Sequence, residues 1–202
     1  MTVIEKNYDW AYSLTPRSVT THLILHHAAA SSATPDGIHA YHKSKGWAGI
    51  AYHYFVAKDG SVYRGRPENM IGAHTMNWNY CSIGICFEGN FENETMQAAQ
   101  LQAGCVLIAD IKTRYPNIVV GGHCDFGQTC CPGKNFPFSA LVSNAEPARD
   151  AEQEKAPADW AKSACESAVA KGIFKGDGSD YRWHDPVTRE ELAVILERIS
   201  KL

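Results

Sequence analysis

Short apolar runs bounded by turn residues recur along the first two thirds of the chain and predict buried strands. They stand in "VTTHLILHHA", "CSIGICFEG" and "NIVVGGH". A longer segment, "IAYHYFVAKDGSVYRGR", carries Asp59-Gly60 between two apolar stretches. Asp-Gly is the strongest short-range hairpin signal, because both residues tolerate the positive φ angles of a tight turn. This segment therefore predicts a β-hairpin.

Helical patterns separate these strands. "TPDGIHAYHKSKG" predicts a helix with Thr34 as N-cap, Pro35 at the first helical position and Gly46 after its end. Residues 95–115 predict a long amphipathic helix that Pro116 ends. Strands interleaved with helices are typical of α/β proteins, and the hairpin adds an antiparallel pair. The pattern predicts an α/β fold with a central mixed β-sheet flanked by helices.

The pattern breaks at a run that is rich in Ala, Glu and Pro and has no apolar periodicity. We interpret residues 143–157 as a polar linker. This linker separates a domain of residues 1–142 from a small C-terminal module of residues 158–202. The sequence of this module predicts two helices. The second begins with Thr188 and Glu191 as a capping box.

Composition and charge narrow the classes of partner. The chain has 202 residues, a net charge of -3 and no basic stripe, so we expect no nucleic-acid partner. No apolar run approaches the roughly 18 to 20 residues of a transmembrane helix, so we expect no membrane partner. The N-terminal segment carries early charges and no apolar stretch. We therefore expect no signal peptide, synthesis in the cytoplasm, and action on its target after release by another route.

The cysteines leave several roles open. There are seven, an odd number. Without an export signal, most of them are expected to be buried thiols, not parts of a disulfide framework. Three of them lie close together in "GGHCDFGQTCCPG", residues 121–133. From the residues alone, these three could be disulfide partners, buried apolar groups, a nucleophile or metal ligands.

Histidines end two of the predicted strands. His26 and His27 end one strand, His123 ends another, and Cys131 follows a few residues later. Adjacent strand ends of an α/β sheet are places where functional sites are assembled. Two imidazoles and one thiolate suit zinc, which keeps its fourth position open for water in catalytic sites. Spacing alone does not join His26 to His123.

Five segments of the chain resemble one enzyme family in their order and intervals. They are "LILHHA", "AYHYFVAKDGSVYRGR", "IGAHT", "NYCSIGICFEGN" and "GGHCDFGQTCCPG". Residues 20–138, which contain them, resemble the zinc-dependent N-acetylmuramoyl-L-alanine amidases, which include phage endolysins and animal peptidoglycan recognition proteins. The resemblance implies one zinc ion per chain and hydrolysis of the amide bond between N-acetylmuramic acid and L-alanine in peptidoglycan.

The resemblance also implies a role for individual residues. The first histidine of the His-His pair matches a zinc ligand, as do the histidine of the usual "GHxD" motif and the cysteine before Pro-Gly. The implied ligands are therefore His26, His123 and Cys131, with Cys130 as a bystander. Tyr52 matches a catalytic tyrosine of the family.

Further site positions rest on the same resemblance. Thr129 stands where relatives carry Lys or Thr, and its hydroxyl, like that of Tyr52, suits stabilisation of an oxyanion. Threonine cannot act as a general acid near pH 7, which leaves proton transfer to Tyr52 or a water molecule. His74 and Asn79 match the substrate groove, and Trp47 is an aromatic candidate for its wall.

The C-terminal module resembles a single S-layer homology repeat. The likeness rests on the tryptophan near its start, the "GI" turn and the "DPVTREE" block. Such repeats bind anionic secondary cell-wall polymers, and Trp160 and Arg189 match that role. The family typically has three repeats, and a single unit of about 45 residues has a small core. Weak wall binding, packing on the neighbouring domain and oligomerisation stay open for this module.

The favoured hypothesis is a zinc-dependent peptidoglycan amidase that acts as a phage or prophage endolysin. A bacterial autolysin is the alternative with the same chemistry. A non-catalytic peptidoglycan-binding protein is a second class, but such relatives typically lose the cysteine ligand that is present here as Cys131. A third class is a metal-free amidase with Cys131 or Cys130 as nucleophile and His123 as base.

Overall fold

The structure of the chain is a computed structural model that describes residues 2–143, 157, 161–175, 181 and 187–201. The chain divides into two compact units, Met1–Pro147 and Ala148–Leu202. Among the described residues, no helix combines the length and the apolar character of a membrane-spanning segment.

The first unit is built on one six-stranded sheet. Its strands are β1 (Val3–Ile4), β2 (His22–His27), β3 (Tyr54–Val56), β4 (Val62–Arg64), β5 (Ser82–Phe87) and β6 (Val119–Gly122). Their order across the sheet is β1-β4-β3-β5-β2-β6. The β3–β4 hairpin is antiparallel, and every other neighbouring pair is parallel. Strand β2, which carries the two adjacent histidines, therefore lies between two parallel neighbours.

Helices flank this sheet. They are α1 (Pro35–Ser44), α2 (Ala98–Arg114), a 3₁₀ helix (His123–Asp125) and α3 (Phe138–Ser143). One face of β2 and β5 packs with α2 in the apolar core. The central members of this core are Leu23, Leu25, Ile83, Ile85, Phe87, Leu107, Ile108 and Ile111. Because side chains alternate along a strand, His26 points to the opposite face, away from this core.

The structure confirms the predicted α/β fold with its mixed sheet. Thr34 caps α1 by accepting a hydrogen bond from the Gly37 amide, as the sequence pattern predicts. The predicted hairpin turn is present, with Gly60 at φ +88°. Helix α2 begins three residues later than predicted, at Ala98, because Gln97 takes an extended backbone conformation. The sequence pattern missed β1 and α3, which are too short to show a periodicity.

The second unit contains two described helices, α4 (Lys162–Ala170) and α5 (Arg189–Ile199). The capping box predicted at Thr188 and Glu191 is present at the start of α5. No residue within these two helices is buried. Most of the proposed linker, and Trp160 in the C-terminal module, lie outside the described residues.

Candidate metal centre

Two parallel strands bring the histidines together. Strand β2 pairs with β6 so that Leu25 lies opposite Gly122. The next residue along the chain is a histidine in both cases, His26 within β2 and His123 directly after β6, so both lie at the same edge of the sheet. The imidazole centroids of His26 and His123 are 4.5 Å apart. The parallel register therefore supplies the link that sequence spacing alone does not give.

The loop after β6 folds back and brings Cys131 to the same edge. The Cys124 amide donates to the Cys131 carbonyl over 2.8 Å, which closes the loop. Gly133 follows at φ +102°, and a side chain there would place its Cβ 2.6 Å from the carbonyl carbon of Phe91. Glycine at position 133 therefore lets the chain that follows Cys131 pass close to the backbone of Phe91.

The three side chains have the geometry of a zinc site. One ligand atom from each of His26, His123 and Cys131 lies within 4.8 Å of the others. The Cys131 Sγ is 3.7 Å from His26 Nδ1. Zinc binds sulfur at about 2.3 Å and nitrogen at about 2.0 to 2.1 Å, so tetrahedral ligation separates these two atoms by about 3.6 Å. The donor set therefore fits zinc in chemistry and in spacing.

Burial controls the protonation of these groups. It holds the pKa of His26 well below its ordinary value, and the neighbouring His123 and His27 lower it further. Burial likewise lowers the pKa of His123. Both imidazoles are therefore neutral near pH 7, as metal ligation requires. Burial raises the pKa of the Cys131 thiol to about 11, against the effect of a hydrogen bond from the His27 backbone amide. A bound cation would have to displace the proton of this thiol.

The other histidine and cysteines near this site, His27, Cys124 and Cys130, are not among the three candidate ligands. The His27 side chain accepts a hydrogen bond from the Phe91 amide over 3.2 Å and stacks on the Phe91 ring. It thus anchors the loop that follows β5, while its backbone amide supports Cys131. Cys124 and Cys130 are exposed free thiols. The group of His26, His123 and Cys131 contains neither of them.

Tyr52 lies beside the candidate metal centre of His26, His123 and Cys131. Its ring centroid is 5.1 Å from that of His26. Its side chain lies close to that of Cys86, which β5 places opposite His26 in the sheet. Burial raises the pKa of Tyr52 well above its ordinary value, and Cys86 and Cys131 raise it further. Tyr52 therefore stays a neutral hydroxyl near pH 7 and can donate a hydrogen bond.

A buried arginine fixes the segment that carries Tyr52. Arg66 donates from Nε to the Ile50 carbonyl and from Nη1 to the Ile71 carbonyl, each over 2.8 Å. Its backbone amide donates to the Tyr52 carbonyl, also over 2.8 Å. These bonds join the segment that carries Tyr52 to the segments of Arg66 and Ile71.

The residues assigned to the substrate groove occupy different environments. His74 is buried, and its Nδ1 lies 3.0 Å from His26 Nε2. The Asn79 side-chain oxygen accepts hydrogen bonds from the backbone amides of His74 and Thr75, so it organises this loop. Trp47 is 41% exposed, and its ring lies against His42, which in turn contacts Tyr52. Trp47 is therefore the most accessible of the three.

Thr129 and Arg189 are both exposed. The Thr129 hydroxyl accepts a hydrogen bond from the Cys131 amide over 3.1 Å, so it lies next to a ligand and keeps its own proton for donation. Arg189 is the first residue of α5 in the second unit.

Sequence patterns do not reveal the contact between His74 and His26 or the one between Tyr52 and Cys86. Both depend on pairing between distant segments. A signal for the first was nevertheless present, because Gly84 interrupts the apolar strand "SIGICF". Glycine inside a strand often marks the close approach of another group.

The site region matches a known protein family. The family model for N-acetylmuramoyl-L-alanine amidase matches residues 16–134, which contain His26, His123 and Cys131 and the residues described around them in the first unit.

Individual relatives agree with this match. Peptidoglycan-recognition protein SC2 of Drosophila simulans is 35% identical over 152 residues, which cover 67% of this chain and 83% of that protein. The endolysin of Klebsiella phage KP32 is 31% identical over 127 residues, or 58% of this chain and 83% of the endolysin. The structure of the N-acetylmuramoyl-L-alanine amidase LysC from Clostridium intestinale URNW is similar, with a TM-score of 0.69 and 37% identity. It covers 71% of this chain and 96% of LysC.

Proposed function

Because this chain belongs to the N-acetylmuramoyl-L-alanine amidase family and is an amidase, we propose that it hydrolyses the N-acetylmuramoyl-L-alanine bond of peptidoglycan with one zinc ion. The observation that carries the zinc part of the proposal is the convergence of His26, His123 and Cys131 within 4.8 Å. Zinc held there would supply a Lewis acid and lower the pKa of a coordinated water to about 7.

The protein groups around the ligands have separate tasks. Tyr52 is a buried neutral hydroxyl beside His26 and is suited to donate a hydrogen bond to the oxyanion formed from the amide carbonyl. Thr129 offers a second hydroxyl on the exposed side of Cys131. Threonine cannot act as a general acid near pH 7, so protonation of the leaving amine is left to Tyr52 or to a water molecule.

The raised pKa of Cys131 disfavours a thiol mechanism. A nucleophilic cysteine needs a lowered pKa, which a nearby cation or a helix N-terminus provides. Burial instead raises the pKa of Cys131 to about 11. His123 has a lowered pKa and would be a weak base toward such a thiol. Both shifts disfavour a cysteine nucleophile and are compatible with metal ligation.

Digestion of purified peptidoglycan with the full chain tests the proposed reaction. We expect mass spectrometry to find stem peptides that begin with a free L-alanine amine, and glycan strands that carry free lactyl carboxylates. Cleavage within the glycan or within the peptide stem would contradict the assigned bond. Binding to the wall without any released product would instead identify a peptidoglycan-binding protein.

We further propose that the enzyme acts as an endolysin of phage or prophage origin and reaches the wall after release from the cytoplasm. The similarity to the endolysin of Klebsiella phage KP32 supports this proposal. A bacterial autolysin would share the same chemistry. The two differ in when the gene is expressed, because an endolysin is produced late in phage induction.

The second unit is proposed to hold the enzyme on the wall. A tethered binding module raises the local concentration of the enzyme at an insoluble substrate without changing the reaction. Truncation after residue 147 keeps the compact first unit and all three proposed ligands. The truncated chain should therefore lose far more activity on intact walls than on soluble muropeptides.

Sedimentation with purified walls provides the second measurement. Arg189→Ala should weaken retention on the wall, because a guanidinium suits an anionic polymer. Lys201→Ala in the same unit is a matched control for the loss of one exposed positive charge. Equal loss of activity on both substrates after truncation, or a change in oligomeric state alone, would show that the unit has a structural role.

A further inference from the structure

His74 touches the nitrogen of His26 that faces away from the metal-binding group. His26 Nδ1 faces the Cys131 sulfur, at 3.7 Å. His26 Nε2 lies 3.0 Å from His74 Nδ1 and 3.4 Å from the Thr75 hydroxyl. The two nitrogens of one ring thus face a proposed metal position and a buried histidine.

The hydrogen bonds around these rings define their tautomers. With Nδ1 of His26 as the ligand atom, its proton lies on Nε2, which can only donate. His74 Nδ1 must then accept, from His26 and also from the Thr75 hydroxyl at 3.1 Å, and the His74 proton lies on Nε2. That nitrogen faces the Ser82 hydroxyl at 3.4 Å, and Ser82 donates to the Trp78 carbonyl over 2.7 Å. The N–H groups of His26 and His74 and the Ser82 hydroxyl therefore each have an acceptor, and the last acceptor is the backbone carbonyl of Trp78.

Two glycines make room for the His74 ring. A Cβ on Gly72 would lie 2.5 Å from His74 Cδ2, and a Cβ on Gly84 would lie 2.6 Å from His74 Cδ2 and Cγ. Neither glycine has a positive φ. Their backbone conformations are therefore open to any residue, and space for the imidazole is what requires glycine. The ring is confined at a fixed distance from His26.

We infer that His74 is a positioning residue that sets the orientation and the tautomer of the metal ligand His26. A metal-bound histidine usually gives its second N–H to a carboxylate, a backbone carbonyl or water, which fixes the ring. Here a buried neutral imidazole is the acceptor. This role differs from the direct substrate contact that the family resemblance implies for His74. The inference rests on the zinc part of the proposed function.

Zinc affinity separates the two roles. The test is to measure the zinc dissociation constant of the full chain by competition with a chromophoric chelator, for the wild type and for His74→Leu. Loss of the acceptor should raise the dissociation constant about 10- to 100-fold, the usual effect of removing such a partner. His74→Asn should recover most of this loss, because its side-chain oxygen can replace Nδ1 as acceptor. The d–d absorption of the Co²⁺-loaded proteins should shift in His74→Leu and return in His74→Asn.

His39→Leu is the matched control. His39 is as buried as His74, at 8% exposure. Its ring also makes two hydrogen bonds, from the Ile50 amide and to the Asp9 carbonyl. It contacts none of the proposed ligands among the described residues. His39→Leu should lower thermal stability and leave the zinc dissociation constant unchanged.

Gly84→Ala gives an independent test if His74→Leu fails to fold. Its Cβ would displace the His74 ring without removing any hydrogen-bonding group, so zinc affinity should fall in the same direction. Wild-type affinity in His74→Leu, or in Gly84→Ala where the first variant does not fold, would overturn the inference. A raised KM with unchanged zinc affinity would overturn it in favour of substrate contact. A wild-type chain that binds no zinc would instead refute the metal part of the proposed function.

Discussion

Removal of zinc is expected to abolish peptidoglycan hydrolysis, and zinc added back is expected to restore it. Stabilisation of the transition state by a catalytic metal amounts to several kcal/mol, and each 1.36 kcal/mol corresponds to a tenfold change in rate. Cys131→Ala should therefore lower the rate by about 10³-fold or more. The assay is release of stem peptides from purified walls, with metal content measured on the same samples.

Cys130→Ala is the control for this experiment. Cys130 is the adjacent residue and an exposed free thiol outside the candidate metal centre. Its substitution should leave zinc content and rate unchanged. Full activity in a metal-free preparation, or a Cys131→Ala protein that keeps its zinc and loses activity, would favour the thiol mechanism instead.

Tyr52→Phe is expected to lower the rate by about 10² to 10³-fold, which is the usual loss when one hydrogen-bond donor to an oxyanion is removed. Because Tyr52 is not among the proposed ligands, zinc content should stay at one ion per chain. The effect should appear in kcat more than in KM, since an oxyanion exists only after attack on the carbonyl. Initial rates on soluble muropeptides at several concentrations measure both quantities.

Tyr54→Phe is the matched control for Tyr52→Phe. Tyr54 is a buried tyrosine two residues later, and its hydroxyl donates to Glu68. Loss of a hydrogen bond to a charged group should lower the free energy of unfolding by about 1.5 to 3 kcal/mol. The rate per folded molecule should not change. A Tyr52→Phe protein within twofold of the wild-type rate would indicate that Tyr52 only packs beside His26.

The fold was predictable where periodicity and local signals agree. Buried strands such as β2 and β5 are continuous apolar runs because both of their faces are covered. Thr34 and Gly60 mark a helix start and a hairpin turn through local backbone chemistry, which needs no knowledge of the rest of the chain. Strand β1 has two residues and depends on pairing with β4, so no local pattern could reveal it.

The site was less accessible to sequence reasoning alone. His26 and His123 lie in different parts of the chain, and only the parallel pairing of β2 with β6 brings them together. Family resemblance supplied this pairing indirectly, through matched motifs. The resemblance did not predict that His74 contacts Nε2 of His26. His74 lies on a loop, and the position of this loop is known only once the sheet has formed.

The two glycines beside His74 have a consequence for how this sequence can change during evolution. Gly72 and Gly84 carry no functional group, yet any larger residue would place a carbon within 2.6 Å of the imidazole. A side chain at either position would therefore force the His74 ring to move. During evolution, selection for glycine at these two positions would come from the space that the His74 ring occupies. It would not come from a backbone conformation that only glycine can adopt.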